Sequence, residues 1–383
     1  MDRSEDNEFY FNENEISRYA RHLSLPEVGI AGQRKLKKSS VFCVGIGGLG
    51  SPLLIYLAAS GVGKIGIIDF DFVEESNLQR QIIHCSNSIG RPKTLSAKNR
   101  ILEINPFCQV EVFNSSLNSR NALDILNEYD IICDCTDNFP SRYLINDACV
   151  ILGKPNIYGS IQGFQGQATV FNLKPDSPNF RDLVPEPPPR NLLPTCSEGG
   201  VLGILPGIIG LIQATETIKI ITNIGKSLDG RLLVFDALLM KFKELSLRHN
   251  QSSDKILTLI DYETFCADKK SIKHTKEDES INSISVGNLR DLVNNKSPDL
   301  ILIDVREEEE FVISSIHKAL SFPLSEIQRG DAIPKLQKLA KDKKVYLYCK
   351  TGKRSLSALK ILNNYGIQGV NLDGGIDAWR RNL

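Results

Sequence analysis

Short apolar runs recur along the chain, separated by stretches whose apolar positions return with helical spacing. SVFCVG (40–45), KIGIIDFD (64–71), QVEVF (109–113), DIICDC (130–135) and ATVF (168–171) read as strands. A helix from about Gly50 to Ser60 follows the first. Such alternation predicts an α/β fold, a parallel sheet wrapped by helices. A second series starts near residue 284: LILIDV (300–305) and KVYLYC (344–349) as strands, Arg354 to Tyr365 as a helix, and GVNL (369–372) as a short strand. Between the two, residues 268–283 (DKKSIKHTKEDESINS) are charged and almost without apolar side chains, the composition of a linker. The expected organisation is a domain over 1–267, a linker over 268–283 and a smaller α/β domain over 284–383. Residues 182–196 are proline-dense and read as an exposed, semi-rigid loop.

A length of 383 residues agrees with two domains. Lys and Arg together number 46, as do Asp and Glu, so the net charge is zero. That balance disfavours a general nucleic-acid or membrane-surface binder, which needs a basic excess. The least polar stretch, Glu198 to Glu216, is broken by Pro206 and several glycines and falls short of the ~20 apolar residues of a spanning helix. The start of the chain is acidic and polar, unlike a secretory signal. The cysteines number nine, an odd count with irregular spacing, which does not suit a disulfide framework. A cytoplasmic, reducing location is therefore expected. Cys43, Cys133 and Cys149 fall inside apolar runs and read as core residues, and the Cys133/Cys135 pair lacks a second pair to complete a metal set.

Gly45, Gly47, Gly48 and Gly50 follow the first strand and open a helix. Glycines there let the backbone approach a phosphate, and the helix N-terminus offers free N–H groups. Asp69 ends the next strand, 24 residues after Gly45, where a carboxylate can accept from ribose hydroxyls. By itself this says nucleotide, with NAD as the default ligand. Three further groups move the expectation away from hydride transfer. Ser76, Asn77, Leu78, Gln79 and Arg80 follow the second strand, Lys93 follows Gly90-Arg91-Pro92, and Asp137 and Asn138 end a later strand. Arg80 and Lys93 suit a triphosphate chain, and Asp137 suits a Mg2+ ion held against it. Seen singly, Lys93 reads as well as a helix-start lysine and Asp137 as a helix cap.

These blocks, with RYARHLSLPEVG near the start, INP, DCTDN and PTCSEGGVLGILPGIIG, closely resemble the MoeB/ThiF-type activating enzymes, relatives of ubiquitin-activating enzymes, over about residues 8–267. The resemblance implies a Rossmann-like ATP-binding activating-enzyme domain that adenylates the C-terminal Gly-Gly carboxylate of a small ubiquitin-like protein. It implies that Gly48, Asp69, Ser76 to Arg80, Lys93, Asp137 and Asn138 line the ATP site, that the chain is a homodimer, and that Arg21 reaches the phosphates of the other subunit. It also places Cys196 where such enzymes carry a thiol, which implies either a thioester with the activated protein or a transient disulfide with the persulfide partner. Many relatives hold a structural zinc with Cys-x-x-Cys pairs near residues 180 and 252. Here those stretches read PNFRDL and NQSSDK, so a zinc-free variant is expected.

Cys349 ends a strand and is followed by Lys350, Thr351, Gly352, Lys353 and Arg354, then a helix. A cysteine before a helix N-terminus and among cations is placed to be nucleophilic. With Asp304-Val305-Arg306-Glu307, Ile316-His317, Phe322-Pro323-Leu324, Asp373-Gly374-Gly375 and Trp379, the segment 284–383 resembles a rhodanese domain, in which the cysteine carries a persulfide. Asp304 and Arg306 read as bracing. A cysteine phosphatase would place five residues between cysteine and arginine, whereas four lie between Cys349 and Arg354.

The two resemblances together imply that ATP and Mg2+ activate the tail of a sulfur carrier. The Cys349 persulfide, charged by a cysteine desulfurase or thiosulfate, then converts it to a thiocarboxylate, with Cys196 as a reducing thiol. Molybdenum cofactor biosynthesis is the expected setting, and thiamine, cysteine and tRNA-thiolation pathways use the same chemistry. An NAD-dependent oxidoreductase and a non-catalytic scaffold are the rival expectations.

Overall fold

β1 (Ser40–Val44) is buried on both faces: Val41 and Cys43 point into one apolar layer, Phe42 and Val44 into the other. A strand covered on both sides reads as one unbroken apolar run, and β2 (Lys64–Ile68) and β4 (Ile131–Asp134) do the same. With β3 (Gln109–Phe113) and β5 (Asn156–Gln162) they form the parallel part of an eight-stranded sheet, in the order β3-β2-β1-β4-β5. The structure, a computed structural model, describes residues 11–188, 200–250, 256–267, 282–294, 299–341 and 343–381. The chain folds as two compact units, Met1–Asp268 and Lys269–Leu383.

The expectation of a parallel sheet holds for these five strands and fails beyond them. β5 turns at Gly163 and Phe164 into β6 (Gln165–Phe171), with Gln162 paired to Gln165 and Gly163 at φ +56°. A two-residue turn can only reverse the chain, so this pair is antiparallel. β7 (Arg231–Asp236) and β8 (Lys241–Ser246) continue the antiparallel half as a hairpin. The helix Leu205–Thr222 covers β5 and β6. Its Gln213 is fully buried and donates from Nε2 to the carbonyls of Asp134 (2.8 Å) and Ile157 (3.0 Å).

In the second unit five strands lie parallel in the order β11-β10-β12-β13-β9. They are β9 (Ser283–Ile284), β10 (Leu300–Asp304), β11 (Leu320–Ser321), β12 (Lys344–Tyr348) and β13 (Gly369–Leu372). β12 is central and buried on both faces, so the residue that follows it sits at the middle of the sheet's C-terminal edge. Residues 268–281 of the expected linker lie outside the described residues.

Candidate active sites

β1 ends where Gly45 turns at φ +90° and donates its N–H to the Ile68 carbonyl at 3.0 Å. A Cβ there would stand 2.9 Å from the Cys135 carbonyl oxygen, so only glycine lets the loop pass so close to the end of β4. Gly50 lies buried at the start of the helix Gly50–Ser60. Asp69, at the end of β2, braces the loop by accepting the N–H of Ile46 (2.8 Å) and that of Asp71 (2.9 Å), one on each carboxylate oxygen. His84 braces it from behind: Nε2 is 3.2 Å from the Ile46 carbonyl and Nδ1 is 2.9 Å from the Ser96 hydroxyl. Burial holds His84 below its usual range, so Nε2–H donates and Nδ1 accepts.

A cleft of about 240 Å³ opens at this edge, beside β1 and β4, where the strand order reverses. Doubly wound sheets leave a crevice at that point. Of the residues expected from sequence, Gly45, Gly47, Gly48 and Asp69 line it from one side, and Arg80, Lys93, Asp137 and Asn138 from the others. Lys93 is buried and its Nζ lies 2.8 Å from Asp71 Oδ2. Arg80 donates to the Ser76 carbonyl at 3.0 Å. Asn138 caps the helix Phe139–Leu152 by accepting the Ser141 N–H at 2.9 Å.

Ser76, Asn77, Leu78 and Gln79 do not line the cleft; they build the turn that presents Arg80. The Asn77 side chain accepts the Glu74 N–H at 3.2 Å, and its carbonyl accepts from Arg80 and Gln81 at 3.1 and 2.9 Å. Arg21 is exposed on the helix Glu13–Leu23, away from the cleft lining. Cys196 lies outside the described residues.

Sequence reasoning missed Gln81, Arg142 and Asp134. The first two line the cleft. Asp134 is wholly buried at the end of β4 and accepts both the N–H (2.9 Å) and the hydroxyl (2.7 Å) of Thr136, fixing the loop that carries Asp137. Burial pushes its carboxyl up, against the pull of Arg142 and the Thr136 bonds. An alternating or periodic pattern carries no signal for such a residue, which looks like one more strand position.

Among the described residues no group of three or more His, Cys, Asp or Glu is arranged to hold a metal ion. Mg2+ needs no such cage: one carboxylate, phosphate oxygens and waters complete its shell, and the exposed Asp137 offers that one carboxylate. At the PNFRDL stretch the buried Asp182 carboxylate accepts the Asn250 N–H (2.9 Å) and the Asn179 N–H (2.8 Å), with His249 Nδ1 at 3.0 Å.

In the second unit Cys349 follows β12 directly and is buried, with Sγ 3.2 Å from the donating Gly352 N–H and 3.6 Å from the Ser355 hydroxyl. Gly352 turns at φ +95° to start the helix Lys353–Asn363. Lys350, Thr351 and Lys353 are exposed, while Arg354 gives two hydrogen bonds to Glu310 (2.6 and 3.0 Å). The other side of the loop is held by Ile376 N–H on the Cys349 carbonyl (2.9 Å) and Asp377 N–H on that of Lys350 (3.1 Å). Asp304 and Arg306 form a buried pair, 2.6 Å between Nη2 and Oδ2, whose guanidinium also reaches the Ser314 carbonyl. They brace the β10 end, as expected of them.

The chain matches the ThiF family over residues 19–256 and the rhodanese-like domain over residues 285–382. A probable adenylyltransferase/sulfurtransferase MoeZ of Mycobacterium tuberculosis is 46% identical over 96% of this chain and 94% of that protein. A probable molybdopterin-synthase adenylyltransferase of Porphyra purpurea is 43% identical, over 95% and 93% of the two chains. The adenylyltransferase and sulfurtransferase MOCS3 of Drosophila grimshawi is 40% identical, over 97% and 85%. The crystal structure of E. coli MccB with ATP shares the fold with a TM-score of 0.56 at 21% identity, covering 64% of this chain and 75% of that one. The chain belongs to the ThiF family, carries a rhodanese-like domain behind its activating domain, and is an adenylyltransferase and sulfurtransferase of the same kind as those full-length relatives.

Proposed function

We propose that the chain adenylates the C-terminal Gly-Gly carboxylate of a ubiquitin-like sulfur carrier with ATP. It then replaces one carboxylate oxygen by sulfur from a persulfide on Cys349, in molybdopterin biosynthesis. The observation that carries this is the presence in one chain of a cleft lined by a glycine loop, Arg80 and Lys93, and of a thiol cradled by a backbone N–H at a helix start.

A carboxylate oxygen of the tail attacks the α-phosphorus, the bond to the bridging oxygen breaks, and pyrophosphate leaves with both electrons. The nucleophile is already ionised, so the step needs no general base. The glycine-loop N–H groups, Arg80 and Lys93 stabilise charge on the phosphate oxygens. Lys93 exchanges its contact with Asp71 for phosphate as the chain binds. Asp137 is the residue that would hold Mg2+ here, which when bound would supply further positive charge against the phosphates. In a homodimer Arg21 of each protomer serves the partner's cleft.

In the second step the terminal sulfur of the Cys349 persulfide attacks the acyl carbonyl and AMP departs, leaving an acyl disulfide. A thiol, for which Cys196 is the candidate, attacks the Cys349 sulfur of that disulfide and releases the thiocarboxylate. Two further thiols, or one dithiol, then reduce the disulfide so formed, free both cysteines and leave as a disulfide themselves. A cysteine desulfurase or thiosulfate restores the persulfide, and the reducing cytoplasm suits every step.

Mass spectrometry of candidate carriers after incubation with the chain, ATP, Mg2+ and a sulfur donor tests this. The expected product is a carrier with one tail oxygen exchanged for sulfur, made by the native chain and not by Cys349→Ser, which still supports carrier-dependent ATP–pyrophosphate exchange. Nicotinamide binding without exchange would favour the oxidoreductase instead, and sulfur transfer undiminished in Cys349→Ser would favour a docking role.

A further inference from the structure

Gln81 is 5% exposed. Its backbone is fully engaged, the N–H with Asn77 and the carbonyl with His84. Its side-chain amide makes no hydrogen bond to the described residues, and Oε1 is wholly buried. Gln81 lines the cleft alongside Gly47, Gly48 and Ile161, and its Nε2 stands 3.8 Å from the place a Cβ on Gly47 would take. Leaving a buried acceptor unpaired costs about 1–3 kcal/mol, and an aliphatic side chain would fill the same space without that cost. Nearby, Asp69 accepts two backbone N–H groups, and Asn138, which is exposed, uses its Oδ1 on its helix cap.

The occupant must therefore both donate to Oε1 and accept from Nε2. Phosphate oxygens only accept, so a phosphate chain would leave Oε1 orphaned and set lone pairs against lone pairs. In an extended peptide the N–H and C=O of one residue point to the same side and match a carboxamide. We propose that Gln81 is a specificity residue of the adenylation site that grips the penultimate residue of the incoming tail. Oε1 accepts that residue's N–H and Nε2 donates to its C=O, which leaves the terminal carboxylate free to meet the α-phosphorus. This rests on the reading that a protein tail is adenylated in this cleft.

The full chain carrying Gln81→Leu tests it. Carrier-dependent ATP–pyrophosphate exchange should fall by at least about tenfold in kcat/KM, the loss of one or two buried hydrogen bonds. Thermal protection by ATP alone should not change, and the melting temperature should equal or exceed that of the native chain. A semisynthetic carrier with an ester oxygen in place of the penultimate N–H should show a comparable loss with the native chain and little further loss with Gln81→Leu. Unchanged exchange in Gln81→Leu overturns the proposal. So does an equal loss of ATP protection, which would hand Gln81 to the nucleotide, and so do fully additive losses in the two-way comparison. A native chain silent with every Gly-Gly carrier while it binds ATP would instead overturn the adenylation reading itself, and the two failures are told apart by that control.

Discussion

Glu310 accepts both hydrogen bonds of the Arg354 fork, at 2.6 and 3.0 Å, so the arginine that closes the Cys349 loop is anchored to the neighbouring helix Glu308–Ile313. The exposed cations beside Cys349 are then Lys350 and Lys353. Burial pushes the Glu310 carboxyl up, but its bonds to Arg354 outweigh this and hold it below the usual carboxylate range. A carboxyl lowered by folding contributes stability above its unfolded value and loses it as pH falls through the folded one. Glu310→Gln should therefore cost about 1–2 kcal/mol at neutral pH, discounted for partial exposure, with the gap to the native chain closing in acid below the ordinary glutamate range. Thermal melts of both full chains across that range check it. A gap that does not depend on pH would mean that the pair contributes packing and not charge.

Gly48 bears directly on the cleft. A Cβ there would stand 2.9 Å from Pro206 Cβ and 3.0 Å from its Cγ, and the proline ring cannot move aside as a flexible chain would. Gly48→Ala should push the glycine loop away from the helix Leu205–Thr222, at a cost of about 1–3 kcal/mol of strain. The expected readout is a folded protein that ATP no longer protects against heat, with sulfur loading of Cys349 intact. Full ATP protection in Gly48→Ala would show that the contact yields without disturbing the phosphate-binding loop.

Gly48 was legible in the sequence, and Pro206 as its neighbour was not. The glycine loop, the strand ends and the Cys349 loop are local: each is a run of adjacent residues whose types report their own backbone. The antiparallel half of the sheet was missed because a turn of Gly163 and Phe164 is too brief to register beside the long strand–helix alternation. Gln81, Asp134 and Arg142 were missed because their roles depend on burial against elements distant in sequence. Asn77 and Asn138 were both expected at the ligand: Asn77 spends its side chain on the turn that presents Arg80, while Asn138 caps a helix and also lines the cleft. Motif spacing cannot separate the two roles, because the residue that shapes a loop and the residue that uses it recur together.

His84 gives the first unit a pH dependence of its own. It must stay neutral to donate to the Ile46 carbonyl and accept from Ser96, and burial lowers its proton affinity in the fold. The unfolded chain then binds the extra proton more readily, so stability is full above about pH 6.5, the unperturbed imidazole value, and falls as the solution is acidified toward the folded value. His84→Ala should lose about 1–3 kcal/mol at pH 7.5, from two partners left unpaired, and should lose this slope between neutrality and mild acid. Melting curves with and without ATP decide the matter, and an unchanged slope in the variant would move the titration to another group.

Asp182 stands in the stretch where zinc-binding cysteines are missing. Its carboxylate takes donors from Asn179, His249 and Asn250, tying the short helix Phe180–Leu183 to the chain that leaves β8. Next to it Asp147 accepts two bonds from Arg181 (2.9 and 2.7 Å) and one from the Tyr262 hydroxyl (2.7 Å). Asp147 also accepts from the Asn146 amide at 3.0 Å, so the two carboxylates are buried nodes with three donors on Asp182 and four on Asp147, a cross-link made of hydrogen bonds. Asp182→Ala should lower stability by about 1–3 kcal/mol by stranding buried donors. Chelators should leave the melting temperature of the native chain unchanged, and elemental analysis should find no stoichiometric zinc. A melting transition that drops with a chelator and recovers on adding zinc would show a metal holding this lobe after all.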